Sequence, residues 1–358
     1  MAEISRKELI LALVSAGDHP RLSGLDLSTL DLSLLDLHGA RIILANLMRA
    51  DLRGVNLSEA NLTESNLMQS NLSGANLSKA ILSCVDLTQA LIRRAILNGA
   101  LLRSANLKNA ILIEASLVGA DLSQANLHRA DLSHANLSEA NLTKADLSEA
   151  SLEGATLSQA ILTGVSLHRA NLVGINMSGA NLSGIDASQA ALSKSDLSQA
   201  NLTRANLGGA DLSLADLIEA NAHFVNLRSA HLVRTNLHGA LLHGATIQQA
   251  DLSGADLSGT DLSNADLTDA NLSGANLTKA NLKGARLYGA QLFKANLSNA
   301  LLEEAILTKA DLTGANLKGA VLTDANLDQI NLDKALLRDA VLRESKVNAR
   351  QFYKASMS

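Results

Sequence analysis

At 358 residues the chain is long enough for two ordinary domains, but three Phe, two Tyr and no Trp leave too little aromatic volume for conventional cores, although 47% of the residues are hydrophobic. Thirty Lys and Arg against 35 Asp and Glu, mixed all along the chain, give a net charge of −5, which indicates neither a nucleic-acid-binding surface nor an acidic tail. The single cysteine, Cys84, cannot form an internal disulfide and fits a reducing, cytoplasmic setting.

The first predicted element is a short helix over 5–15. Ser5 is its N-cap with Glu8 three residues later, and Gly17 and Pro20 end it. Its apolar residues Ile10, Leu11, Leu13 and Val14 are expected to cover the open end of the segment that begins at Leu22, so that 1–21 form a helical cap. Glu3 and Glu8, rather than a clean basic segment, precede the apolar run Leu9–Val14 and give a signal peptide little support. No stretch reaches the ~18 successive apolar residues of a membrane span.

From Leu22 to Phe352 every fifth residue belongs to one register, without insertion or slip. That residue is Leu except at Ile42, Ile92, Met177, Ala187, Ala222, Ile247, Val347 and Phe352. Two positions earlier stands a small residue, usually Ala, and between the two an Asp or Asn. Ser or Thr usually follows the Leu, and all but two of the 23 Gly come next. A helix turns about 100° per residue, so a five-residue step would spiral the Leu side chains round its outside. In a straight strand successive repeats would alternate faces. The chain must therefore bend once per repeat, with Ala and Leu inward, Asp/Asn outward, and Ser/Thr-Gly at a corner suited to a type II turn. Corners with Gln, Lys, Glu or Arg in place of Gly, such as Gln89 or Lys79, are expected to use a different turn.

The A-(D/N)-L-x-x unit resembles the signature of pentapeptide-repeat proteins, abundant in cyanobacteria, over residues 22–352. The resemblance implies an all-β, right-handed quadrilateral parallel β-helix, a solenoid with four repeats per coil and about 17 coils. Residues 353–358 then form a C-terminal tail, after a closing coil in which Ser345, Arg350, Phe352 and Tyr353 depart from the pattern.

Recurring Asp, as at Asp121, Asp131 and Asp146, belongs to the repeat rather than to catalysis. No catalytic or phosphate-binding motif is present, so no enzyme activity, cofactor or resident metal is expected. His223 and His243, one coil apart with His231 and His238 nearby, suggest a zinc site, but without a supporting Cys they read as surface histidines. Cys84 is incidental.

Outward positions that break the repeat rule are the candidates for recognition. At Ile81, Leu91, Ile96, Leu101 and Ile111 an aliphatic residue replaces Asp/Asn, with Arg93, Arg94 and Arg103 among them, the mixture an interface centre favours. The same replacement at Ile161, Leu241, Leu301, Ile306, Val321 and Leu336 equally suits drift of a tolerant position. Phe224 is expected to tuck toward the space left by Ala222. These features point to a non-enzymatic scaffold or regulatory binding module for an unidentified protein partner, a monomer or weak homo-oligomer that binds neither nucleic acid nor membrane. The alternative implied by the resemblance is a DNA-mimicking gyrase modulator. Duplex DNA carries about one charge per 1.7 Å. The most acidic face, with Glu59, Glu139, Asp196, Asp216, Glu219 and Asp256, also carries Lys79, Lys279 and Lys318 and falls about an order of magnitude short of that density.

Overall fold

The computed structural model describes residues 5–16, 19–346 and 355. It divides into two compact units, Met1–Asn176 and Met177–Ser358. Each is a β-helix in which parallel bridges join residue i to i+20, from Arg21↔Arg41 to Thr156↔Asn176 in the first and from Asn181↔Asn201 to Asn326↔Lys346 in the second. A bridge falls at every fifth residue, so each turn of the chain carries four of them. The Leu and Ala positions are almost all buried. At about 1.5–3 kcal/mol for a buried Leu, these ladders are the main stabilising term.

The repeat's remaining letters follow from where its backbone donors go. In 131–135 of the first unit, Asp131 N–H donates to Ala110 O at 2.9 Å, Leu132 N–H to Ser151 O at 2.7 Å, His134 N–H to Glu153 O at 2.9 Å and Ala135 N–H to Leu132 O at 2.9 Å. Stacking leaves the third N–H without a backbone acceptor. The side chain of the first residue supplies one: Ser133 N–H donates to Asp131 Oδ1 at 3.1 Å, and Ser133 Oγ donates to the same oxygen at 2.6 Å. Repeat 261–265 of the second unit does the same, with Ser263 N–H donating to Asp261 Oδ1 at 3.0 Å. Asp and Asn occupy this place because they reach back to the N–H two residues on. Asn also donates to the carboxylate one coil earlier, as Asn281 Nδ2 does to Asp261 Oδ1 at 2.9 Å.

The corners overturn one expectation. From Gly24 to Glu344 every fifth residue, glycine or not, has φ between 53° and 72°. Gln89 (58°) and Lys79 (56°) adopt the left-handed conformation of Gly74 (68°) rather than a different turn. Such a φ costs an L-residue about 1–2 kcal/mol. Here the corner N–H donates into the next coil, as Lys79 N–H does to Asn98 O at 2.9 Å, and holds it there. Thr29 is the single β-branched residue among these corners, as its crowding requires. Corner side chains lean onto the corner one coil later. A Cβ added to Gly244 would lie 2.6 Å from the Phe224 ring, and one added to Gly54 would lie 2.8 Å from Leu34.

Where Ser or Thr replaces the inward Ala, the hydroxyl turns to a carbonyl: Thr235 Oγ1 donates to Leu212 O at 2.8 Å and Thr260 Oγ1 to Leu257 O at 2.7 Å. Helix α1 spans Arg6–Ala16. Ser5 and Glu8 close a reciprocal capping box, Ser5 N–H donating to Glu8 Oε2 at 2.7 Å and Glu8 N–H to Ser5 Oγ at 3.3 Å. Arg6 donates to Asp31 O and Ser33 O at 2.6 and 3.0 Å. Among the described side chains of α1 Leu9 is completely buried, whereas Leu11, expected to cover the first coil, is 61% exposed and Ile10 also faces water; the Val14 side chain lies outside the described residues. The expected closing coil lies largely outside the described residues. Ser345 is within them, its Oγ donating to Leu322 O at 2.7 Å.

Removing the carboxamide or carboxylate that serves the third N–H should cost about 1 kcal/mol. Asp131→Asn should keep slow amide exchange at Ser133, and Asp131→Ala should speed it roughly fivefold; equal protection in both variants would refute the role given to this side chain. Hydrogen bonds from Ser33 hold the Asp31 carboxyl below the usual range, and those from Arg53 do the same for Asp51. Depressed folded-state values contribute stability above the unfolded pKa of about 3.9 that is lost as pH falls through the folded value. Acid titration followed by circular dichroism should therefore leave the coils near Asp31 and Asp51 intact until below that range. Gly74→Ala, with open space around it, should cost about 1 kcal/mol, and Gly244→Ala measurably more in urea unfolding because the Phe224 ring must move.

Candidate functional site

The eight residues expected to form one patch separate onto three bridge ladders. Ile81 bridges Leu101, and Leu91 bridges Ile111. In either direction along the coil one bridging position lies between these pairs, and Ile96, bridged to Asn76 and Ser116, occupies one of them. Ile96 and Leu101 are exposed at 42% and 37%, whereas Ile81, Leu91 and Ile111 are half-buried. Arg103 joins the Ile81–Leu101 side and is ion-paired with the half-buried Asp121.

Leu91, Ile111, Arg93 and Arg94 belong together. The two arginines face a shallow hollow of about 420 Å³ that Ser73, Gly74, Ile113 and Glu114 complete. Arg94 Nε donates to Glu114 Oε2 at 2.8 Å and its Nη2 to Glu114 Oε1 at 3.3 Å. This pairing holds the Glu114 carboxyl below the usual range. Arg93 is exposed and makes no ion pair among the described residues. A fixed guanidinium–carboxylate pair beside a free guanidinium and two aliphatic side chains suits contact with a protein surface. Ile113, at the third position of its repeat, was not expected. A sequence signal marks it: no Asp or Glu occurs between Asp86 and Glu114, and this band holds all the candidates except Ile81.

The histidine cluster is real but small. The His223 and His243 rings lie 6.0 Å apart, edge to face, and His243 Nδ1 lies 2.9 Å from Ser263 Oγ. His238 turns instead to Ser258. No group of three or more His, Cys, Asp or Glu among the described residues suits a metal ion. Phe224 does not fill the space beside Ala222. Its ring is 50% exposed, packed on Gly244 and 5.5 Å from the His243 ring, with the Arg204 guanidinium 5.9 Å from its centroid. The left-handed corner points this side chain along the coil stack instead of into the core. Cys84, another exposed corner residue, makes no disulfide.

The family described as pentapeptide repeats matches residues 45–358 in overlapping segments. No curated protein matches the chain. Among solved structures, the chain is similar to a pentapeptide repeat protein from the Arabidopsis thaliana thylakoid lumen, at 37% identity over 26% of this chain and 66% of that one, with a TM-score of 0.26. It is similar to HetL, a pentapeptide repeat protein involved in heterocyst differentiation regulation from the cyanobacterium Nostoc, at 25% identity over 96% and 98% of the two chains, TM-score 0.19. It is also similar to a trypsin-treated form of QnrB1, a plasmid-mediated fluoroquinolone resistance protein, at 21% identity over 49% and 82%, TM-score 0.31.

Zinc takes four ligands, and the histidine pair offers two. Zinc should therefore leave the melting temperature unchanged; a rise that disappears in His223→Ala would establish a metal site here.

Proposed function

Because the chain belongs to the pentapeptide-repeat family, we propose that it is a non-enzymatic scaffold or regulatory binding module presenting β-helix sides to a protein partner. The observation that carries this reading is the double use of outward positions. Where Asp or Asn stands, the side chain is occupied by the third N–H of its own repeat. Where the rule is broken beside Arg93 and Arg94, the half-buried Leu91 and Ile111 have no such duty, and Arg93 is exposed without an ion pair among the described residues. We assign docking to Leu91, Arg93, Arg94 and Ile111, with Ile113, and a secondary role to Ile81, Ile96, Leu101 and Arg103.

The finer geometry belongs to the same proposal. The i to i+20 bridges support a right-handed quadrilateral coil of four repeats, about 17 coils in the whole chain. Leu9 and Arg6 support a capping role for α1. The partner is a protein rather than nucleic acid or membrane: the net charge is −5, and among the described residues no helix is long and apolar enough to cross a membrane. The protein acts as a monomer or weak homo-oligomer, in a cytoplasmic setting that its lone cysteine suits. Its mixed charge disfavours the DNA-mimicking alternative.

Affinity capture from the host lysate with the wild-type chain and with a folded Leu91→Asp, Arg93→Glu variant tests the assignment. The variant should recover the partner at least tenfold less well, about 1.4 kcal/mol. Undiminished recovery removes the patch, and inhibition of gyrase supercoiling by the purified protein would favour the DNA mimic.

A further inference from the structure

The edge that leads out of the Arg93 side of the coil is notched. Its corner residues, one per coil, are Leu34, Gly54, Gly74, Arg94 and Glu114. Leu34 is 81% exposed and lies over Gly54, where an added Cβ would come 2.8 Å from its Cδ2; an added Cβ at Gly74 would meet nothing within 4 Å. Two hollows result. One of about 290 Å³ is lined by Ser33, Leu34, Arg53 and Gly54, and the other is the hollow bordered by Arg93 and Arg94. They adjoin, because Gly54 N–H donates to Ser73 O at 3.0 Å and Gly74 N–H to Arg93 O at 2.9 Å. Together they make one groove along the first unit, with Leu34 at one end, bare Gly74 in the middle and Arg93 at the other end.

One charge in this groove is left over. Arg53 is held by Asp51 through Nε at 2.8 Å and Nη2 at 2.6 Å, Arg6 pairs with Asp31, and Arg94 engages both oxygens of Glu114. Arg93 is exposed and makes no ion pair among the described residues. On the same side Asp131 is the next carboxylate without a cation, two coils or about 10 Å away, the distance over which salt screens exposed charges. The side before it carries one charge of each sign in the adjoining coils, Asp86 and Lys108, and beyond the side after it Glu59 lies 3.8 Å from Lys79.

We infer that the groove takes an extended segment of the partner protein in which an aliphatic side chain and a carboxylate stand four residues apart. Leu34 and Arg94 are separated by three coil steps, about 14 Å, which an extended chain covers in about four residues. Residues i and i+4 of a strand share a face. The aliphatic side chain therefore covers Leu34 while the carboxylate meets Arg93, and the side chain between them, at i+2, has the open space above Gly74. A single unpaired guanidinium selects one acid rather than a row of them, since a polyanion laid along the groove would bring its further charges against Asp51 and Glu114. The inference rests on the binding-module reading and supplies the chemistry of its partner.

Amide resonances of the isotope-labelled full-length protein test this with a peptide of Ser and Thr that carries Leu and Asp four places apart. Those of Gly54 and Gly74 should shift as the peptide is added. Arg93→Gln should weaken binding about tenfold or more, as expected when a charged hydrogen bond is lost, and should no longer distinguish the Asp peptide from its Asn counterpart. Leu34→Ser should weaken it too, and Gly74→Gln, a residue that the corners at Gln69 and Gln89 already accept, should block it. No shift at Gly74 at millimolar peptide, equal binding of a peptide with Leu and Asp three places apart, or undiminished binding by Arg93→Gln or Gly74→Gln overturns the inference. Tighter binding of inorganic phosphate or single-stranded DNA at the same resonances also overturns it. Failure here, with capture of the host partner still lost in the Leu91→Asp, Arg93→Glu variant, removes this occupant of the groove and leaves the binding-module reading standing.

Discussion

Of the five backbone N–H groups in a repeat, four find carbonyls, three of them in neighbouring coils, and the fifth finds the side chain of the residue two places before it. An unpaired backbone donor held against the stack costs about 1–3 kcal/mol, and the repeat would incur that cost at every turn. Asp and Asn therefore recur for the same kind of reason as Leu and Ala: the coil cannot close well without them. The Ser or Thr hydroxyl that donates to the same oxygen fixes the carboxylate or amide in place. Polar letters that look like a catalytic or anionic array are thus consumed by the backbone, and chemistry directed outward is confined to places where this arrangement is relaxed.

The inward half of the structure was legible because a period of five fits neither a helix nor a straight strand, and only a chain bending once per repeat keeps Leu and Ala together. The corners were less legible. Read alone, Lys79 or Gln89 is a poor choice for positive φ, and the sequence does not show the inter-coil hydrogen bond that holds it there. The same blindness affected α1, where Ser5 and Glu8 announce the start correctly but the orientation of Leu9 against Leu11 depends on the Arg6 contacts with Asp31 and Ser33.

Legibility failed most at the surface, for a geometric reason. Residues five apart stand on successive sides and residues twenty apart stack, so a run such as Ile81 to Ile111 spreads round the coil instead of gathering. Leu91 and Ile111 are brought together, and Ile81 and Leu101 are brought together elsewhere. The Arg93 patch lies at the end of a linear stretch without Asp or Glu, 87–113, although Glu114 itself lines it.

The spacing of twenty also governs how such a chain can change its length. Within either unit, loss or duplication of one pentapeptide would restore every ladder contact yet carry each later residue to the next side, rearranging a recognition surface without altering any of its residues. Loss or duplication of four would shorten or lengthen the stack and leave each surface facing as before. A lineage of these proteins can therefore reshuffle what it displays by unequal recombination alone, with the core indifferent to the outcome.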